Sequence, residues 1–550
     1  MPPDPAAVLG RMMERPLLIS SIIDYAASVH AHVPVISRDA EGRMHRYAYG
    51  EAAKRIAKLA HALNDLGVRP GDRVATFAWN GYRHFELYYA VSGIGAICHT
   101  VNPRLFRDQL VHIFNHAEDR FIFADPGLMP LVEDLMPDLR TVQAVTVLAA
   151  STAMPESDLK SVLCYETLLN RQPDAIDWPE FDERTAAALC YTSGTTGHPK
   201  GALYSHRSTV LHAMSSIIGH DNRLGSTDVF MPVVPMFHVC AWGYPYACPI
   251  AGAAMVLPGP RLDGASLHAL MEEERVTLAA GVPTLWYGLM EHLRQTGGRL
   301  THLRGLVSGG AAASLALIEA IESHGIEFMH GWGLTETSPV ATTNLSSTVP
   351  PGLEGDAAHR YKLKQGRPLF GVDFRLAGDD GAPVPRDGTA SGEVLLRGNT
   401  VIAGYFRDEA ASAAAFDADG WFRTGDIGSI DAHGCLQLTD RAKDLIKSGG
   451  EWISSIDLEN AALGHAGIAA AAAIAIPHPK WGERPLLVIV PQEGKTPSKA
   501  EILDFLKDRV ADWWLPDDVA HIDAMPLTAT GKVSKRQLRE RFRDYKLPTT

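Results

Sequence analysis

The sequence has few cysteines, and none of them stand in a paired motif. Cys98, Cys164, Cys190, Cys240, Cys248 and Cys435 are the full complement, and no two show C-x-x-C spacing. That argues against a zinc ribbon, a thioredoxin-like redox motif and a disulfide framework; the thiols read as reduced and mostly buried. Long apolar runs are missing too: nothing approaches the ~18 residues that span a bilayer. The stretch from Pro16 to Ile23 is short and has no small-residue cleavage site, so it is not a signal peptide. A cytoplasmic location is the expectation. Positive charge is in deficit, with a formal net charge of −13, so the surface as a whole should repel nucleic acid and anionic membranes. Internal repeats are absent, and the one biased tract is alanine-rich, at 468–473.

What remains is a soluble globular composition, 46% hydrophobic and 21% charged, in 550 residues. That length is too great for one core and predicts at least two domains. From Glu51 to Leu66 apolar residues recur at helical spacing until Gly67 and Gly71 break the run. Asp72 to Ala78 then reads as a buried strand. Helix and strand patterns alternate to about residue 340, which predicts parallel sheets covered by helices. From about 366 to 440 short strands separated by Gly and Asp turns predict a small β-rich subdomain. A charged run from Asp440 to Asp444 marks a boundary. Beyond it lie strands at 470–476 and 486–490 and a helix opened by the capping box Ser498-Lys-Ala-Glu501, the pattern of an independent α+β domain.

The segment with the most chemistry follows a predicted strand, Ala186 to Tyr191. It reads Thr192-Ser193-Gly194-Thr195-Thr196-Gly197-His198-Pro199-Lys200-Gly201. Glycines let several N–H groups turn toward one anion, hydroxyls add donors, and Lys200 adds charge. A Walker loop would need Gly-x-x-x-x-Gly-Lys-[Ser/Thr]. Counted from Gly194, the second glycine would fall on Pro199, and Lys200 is followed by Gly201 rather than a hydroxyl. The Walker reading fails.

This loop resembles the signature of the adenylate-forming superfamily, which includes acyl-CoA synthetases, nonribosomal adenylation domains and luciferase. Further motifs follow in the expected order: Gly309-Gly-Ala-Ala312, His330-Gly-Trp-Gly-Leu-Thr-Glu336, Trp421-Phe-Arg-Thr-Gly-Asp426, Asp440 to Ser454, and Pro526-Leu-Thr-Ala-Thr-Gly-Lys532. The branch that this chain most resembles is the medium- and long-chain fatty acyl-CoA synthetases, by Asn102 to Phe106, Pro235 to Trp242 and Ser448 to Ser454. The resemblance implies an α/β fold: a large N-terminal domain (1–440) of two doubly wound sheets, with a small β-barrel-like subdomain at about 366–440. A hinge at 441–443 and a mobile α+β lid domain, 444–550, follow. It also implies a homodimer through the N-terminal region.

The implied reaction joins a carboxylic acid to ATP as an acyl-adenylate, then transfers the acyl group to CoA. Lys532 is then the lysine bridging carboxylate and α-phosphate. Glu336 is the Mg²⁺ carboxylate, with Thr192 as hydroxyl ligand or outer partner. Thr192 to Gly197 and Lys200 cradle phosphates. Gly310, Ala311, His330, Gly331, Trp332 and Thr335 belong to the adenine side, where the indole of Trp332 replaces the usual phenol and still stacks. Asp426 accepts from the ribose diol with help from Arg441. Lys443 matches the hinge, and Lys447 and Trp452 follow it toward the adenylate. Gly309 lies beside the acyl carbonyl. His238 stands where amino-acid-activating members carry an aspartate, which argues against an amino-acid substrate. Val233, Val234, Val239, Trp242 and Tyr244 form an apolar wall suited to an aliphatic or aryl acid. Trp242 reads equally as a gate to an acyl tunnel or as a core residue. A CoA ligase for a short thioether or aryl acid, and a stand-alone loader of a carrier protein, remain open alternatives.

Overall fold

The computed structural model describes residues 10–192, 198–218, 224–378, 380–441, 444–449, 451–528 and 532–548, with backbone alone at 451 and 452. Two large sheets carry the N-terminal part. In one, seven strands run in the order Val162–Cys164, Ala144–Val147, Phe121–Ala124, Arg73–Phe77, Ile97–Thr100, Ala186–Tyr191, Gly201–Ser205. Every neighbouring pair is parallel except the last. In the other, Pro34–Arg38, Ala254–Leu257, Val229–Pro232, Leu278–Gly281, Gly305–Gly309 and Glu327–Gly333 form a parallel centre within nine strands. Antiparallel strands Met44–Ala48 on one side and Val340–Leu345 with Arg367–Pro368 on the other complete it. Covered on both faces, such strands read as continuous apolar runs, as Ala187 to Cys190 does.

One helix ties the sheets together. Tyr82–Gly93 shows no clean polar stripe, and every residue from His84 to Gly93 is buried. A helix that leaves no polar stripe for solvent must be enclosed. Its Tyr88 and Tyr89 share one core with Val74 and Cys98 of the first sheet and with Met255 and Leu278 of the second. Both phenols find carbonyls, Tyr88 at Met236 and Tyr89 at Pro245 (2.8 Å). Glu86 on this helix is wholly buried and ion-paired to Arg55 at 2.7 Å, while Tyr165 donates to its other oxygen at 2.6 Å. Burial pushes the Glu86 carboxyl upward, against the pull of Arg55.

The β-rich subdomain takes the form of a four-stranded antiparallel sheet, Val372–Ala377, Gly392–Gly398, Phe422–Ile430 and Leu436–Arg441. Its last strand runs through the expected boundary at 440. Beyond, a long hairpin of Ile468–His478 and Gly482–Pro491 anchors a five-stranded sheet with helices Ser455–Leu463, Lys499–Lys507 and Lys535–Arg541. The capping box at Ser498 and Glu501 is present. The alanine-rich run lies inside a strand: ladder pairing with Gly482–Pro491 overrides alanine's helix preference. All six cysteines are free, and all but Cys164 are buried. Among the described residues no helix is long and apolar enough to cross a membrane.

Substituting Arg55→Met should cost about 3–5 kcal/mol of folding stability, because it leaves the Glu86 carboxylate buried without its cation. A urea titration at neutral pH reads this, and a loss below about 1 kcal/mol would refute the pairing's importance.

Candidate active site

Parallel α/β sheets present their ligands beyond the carboxyl ends of their strands. Here Tyr191, Gly281, Gly309 and Gly333 are such ends. A cavity of about 400 Å³ opens near them, lined by Thr192, Gly309, Glu336, Asp426 and Lys532 among others. That volume suits a small-molecule site.

The glycine- and hydroxyl-rich loop leaves strand Ala186–Tyr191 and returns as strand Gly201–Ser205, with Tyr191 paired to Gly201. The Thr192 N–H donates to the Lys200 carbonyl at 2.8 Å, and the Lys200 N–H to Thr192 Oγ1 at 3.3 Å. A Walker loop instead opens a helix, so the backbone agrees with the sequence in rejecting it. Ser193, Gly194, Thr195, Thr196 and Gly197 lie outside the described residues. The Lys200 ammonium stands 4.9 Å from the ring centre of Tyr405.

Tyr405 was invisible to sequence reasoning. Its hydroxyl donates to Glu336 Oε1 at 2.7 Å. It arrives there because Tyr405 bridges Ala202 and the Phe406 N–H donates to the Gly201 carbonyl at 2.8 Å, extending the hairpin. No spacing in the chain announces that contact. Glu336 sits in the short turn Thr335–Thr337, held by the Tyr204 hydroxyl at the Thr335 carbonyl and by the Ile402 N–H at its own carbonyl. Burial raises its carboxyl, and the Tyr405 hydrogen bond opposes that. Glu336 and Thr192 offer hard oxygen donors to one cavity. No cluster of three His, Cys, Asp or Glu able to hold a metal occurs among the described residues. This donor set fits Mg²⁺, which takes one or two carboxylates and completes its shell from phosphates and water.

Asp426 is almost fully buried and doubly held. The Trp332 indole N–H donates to Oδ2 at 3.0 Å, and Arg441 Nε lies 3.3 Å from Oδ1. Each carboxylate oxygen keeps a lone pair for a further donor. The Trp332 N–H is therefore spent on Asp426, a role the sequence did not suggest. Burial raises the Asp426 carboxyl, with Arg441, Trp332 and Lys532 pulling it back. The half-buried Lys532 ammonium enters the same cavity, and desolvation lowers it to about 8, helped by Arg441 and resisted by Asp426. Room for it exists because Gly310 has φ of 80° and no side chain; a Cβ there would lie 3.2 Å from Lys532 Cε.

His330 is buried, burial lowers it to about 4, and its Nδ1 has no hydrogen-bond partner. The Thr343 hydroxyl is likewise unpartnered, and both line the cavity. Two polar atoms left over at a cavity wall await a polar ligand edge. Gly331, Trp332, Thr335 and Ala311 line the same wall.

Part of the lining is apolar. Val239, Trp242, Tyr244, Val307 and Met329 line the cavity, whereas Val233 and Val234 are fully buried and are not among its lining residues. Val239, Cys240, Ala241 and Trp242 have φ of 46°, 42°, 50° and 55°, and Gly243 follows at 78°. A left-handed turn costs ~1–2 kcal/mol per non-glycine residue, so tertiary contacts must hold it. The Trp242 ring supplies one: it fits against Gly309, where a Cβ would stand 3.0 Å from the ring and 2.7 Å from the Gly331 carbonyl. His238 precedes the turn, and burial followed by the nearby Lys532 charge lowers it to about 3, so it is neutral. Lys447 is not among the cavity-lining residues; it is exposed on the strand Ile446–Ser448. Lys443 and the Trp452 side chain lie outside the described residues.

Residues 23–406 match the model of the AMP-binding enzyme family, and residues 457–532 that of the AMP-binding enzyme C-terminal domain. The chain belongs to the AMP-binding enzyme family. It is 47% identical to the 3-methylmercaptopropionyl-CoA ligase of Ruegeria lacuscaerulensis over 98% of this chain and 99% of that one. It is 46% identical to the long-chain-fatty-acid–CoA ligase of Thermus thermophilus over 97% of each. Its fold matches an anthranilate CoA ligase solved with anthranoyl-AMP at a TM-score of 0.86, with 23% identity, covering 96% of this chain and 99% of that one. The protein is an AMP-forming acyl-CoA ligase that uses ATP and CoA. It is thus an acid–CoA ligase, as the motifs implied.

In this ligase the Lys532 amine should acylate with a midpoint near pH 8 rather than near the ordinary lysine value. Asp426→Asn removes the group that raises it, so the midpoint should fall further. Isotope-coded labelling read by mass spectrometry across pH tests both; a midpoint near 10 would contradict the burial described.

Proposed function

We propose that this ligase activates a medium- or long-chain aliphatic acid, with Lys532 as the residue serving the first chemical step. The observation carrying the proposal is a half-buried, desolvated ammonium lining one cavity together with Thr192, Glu336 and Asp426 and with the apolar Val239 and Trp242. A carboxylate oxygen attacks the α-phosphorus of ATP, and the bond to the β-phosphate oxygen breaks to release pyrophosphate. Two anions must approach, so a desolvated cation aimed between them lowers the barrier more than it would in water. Lys532 takes that position. Lys200 and the loop from Thr192 neutralise the β- and γ-phosphates, and Asp426, with Arg441, receives the ribose diol. His330 meets the base edge. Glu336 and Thr192 would hold Mg²⁺, which neutralises charge on the phosphates when bound.

In the second step the CoA sulfur attacks the acyl carbonyl, its proton is lost, and AMP leaves. Lys532 fills the approach, so the unit 444–550 turns about 441–443 to withdraw it. The acid's tail meets Val239, Trp242, Val307 and Met329, and no carboxylate on that wall stands ready for an amine. Each methylene buried contributes about 0.8 kcal/mol. A short thioether acid is the second reading, supported by the Ruegeria relative's name.

Lys532→Ala should lower acid-dependent pyrophosphate release at least ~10²-fold, as for loss of one transition-state donor. Thioester formation from preformed acyl-AMP should survive far better, and equal loss of both steps would remove the assignment. In the intact enzyme, kcat/KM for adenylation should fall as pH rises through about 8, where the Lys532 charge is lost. Pyrophosphate release across a series of straight-chain acids should show kcat/KM climbing about threefold to fourfold per methylene. A maximum at 3-methylmercaptopropionate, with no gain along the series, would establish the second reading instead.

A further inference from the structure

Lys532 lies just before the last helix of the described chain, Lys535–Arg541. Around it, Thr528 N–H donates to the Lys532 carbonyl at 2.6 Å, and Ser534 N–H donates to Pro526 O at 2.7 Å. These bonds join described residues on either side of 529–531 to one another. What holds the stretch from Lys532 is a buried polar chain that starts on the other side of the hinge. Asp440 lies in strand Leu436–Arg441, one residue before Arg441 and paired with Ile427 beside Asp426. Its Oδ2 accepts from the Ser455 N–H at 2.8 Å and from the Ser455 hydroxyl. Ser455 is the first residue of helix Ser455–Leu463 and is fully buried. The Ser455 oxygen in turn accepts from Lys535 Nζ, and Lys535 pairs with Glu459 at 2.8 Å. The other Glu459 contact is the Ala473 N–H, which donates to it at 2.7 Å. A parallel bond runs from the Ser454 hydroxyl to the Thr439 carbonyl at 2.6 Å.

Lys535 is three residues beyond Lys532 and opens helix Lys535–Arg541. Burial disfavours its charge, but Glu459 and Asp440 outweigh that and hold the ammonium charged. The Lys535 ammonium is largely withdrawn from water and paired with Glu459, so displacing it by a residue's width would leave both charges desolvated without a partner, which is costly.

We propose that Asp440, Ser455, Lys535 and Glu459 form a positioning latch that spans the hinge, holds Lys532 at the adenylation site, and opens for the thioester step. This rests on the role given to Lys532 above. The latch touches no reacting atom. Asp440 and Ser455 stand on opposite sides of the expected hinge, 441–443, so their contact is the link of this chain that crosses it and that a rotation there acts on. The latch is thus matched to one of the two half-reactions.

The test uses the full-length enzyme and measures the two half-reactions separately: pyrophosphate release with acid and ATP, and acyl-CoA formation from preformed acyl-AMP and CoA. Asp440→Asn keeps an acceptor for the Ser455 N–H but removes the charge facing Lys535. Lys535→Met removes the cation. Each should lower adenylation about tenfold or more, a loss within the range expected when a positioned group is displaced by ~1 Å. Thioester formation should be unchanged or faster. The double variant should be no worse than the poorer single one, because both break one chain. Lys535→Arg should restore adenylation to within about threefold of the parent. Loss of both half-reactions together, whether from misfolding or otherwise, would overturn the latch, as would undiminished adenylation in both single variants. Lys532→Ala, run alongside, separates the two ideas: if it leaves adenylation intact, the role of Lys532 fails, whatever the latch variants do.

Discussion

A lysine ammonium taken out of water beside a carboxylate is the constraint on which this site depends. Lys532 sits where burial disfavours its charge, and Asp426 keeps it charged near neutral pH. Asp426 is itself buried, and the Trp332 indole, Arg441 and Lys532 together offset that. Each of these groups comes from a different element: the strand Phe422–Ile430, the strand Glu327–Gly333, the end of Leu436–Arg441, and the C-terminal unit. The cavity is therefore an electrostatic balance struck between parts far apart in sequence. Removing any one member leaves another charge buried without compensation.

The same logic runs through the support of Glu336. A lone buried carboxylate would tend to take up a proton. Tyr405 offsets that by donating to it, and Lys200 lies over the face of the same ring. The hairpin around the phosphate loop thus delivers a lysine to one side of Tyr405 and sets its hydroxyl on Glu336. Loop and carboxylate are coupled through one aromatic side chain.

Much of this was legible in the chain. The strand Ala186–Tyr191, the helix after residue 49, the capping box at Ser498 and the order of the motifs all follow from local pattern. Local pattern is reliable where periodicity and turn chemistry agree. What could not be read is contact between distant segments. Trp332 was expected to serve only by its ring face, yet its N–H is committed to Asp426. Tyr405 and the chain from Asp440 to Lys535 left no mark at all, because each is made by a register or a domain approach rather than by spacing. Lys447, assigned to the site by its motif, is exposed on its strand and is not among the residues lining the cavity.

The helix Tyr82–Gly93, enclosed by both large sheets, bears on how the chain acquires its fold. A segment buried from His84 to Gly93 cannot be completed by either sheet alone. Residues 73–205 hold one sheet's strands, but a fragment cut there would expose the flank that Met255 and Leu278 normally cover. The two sheets should therefore melt together as one cooperative unit, and neither should survive as an excised fragment.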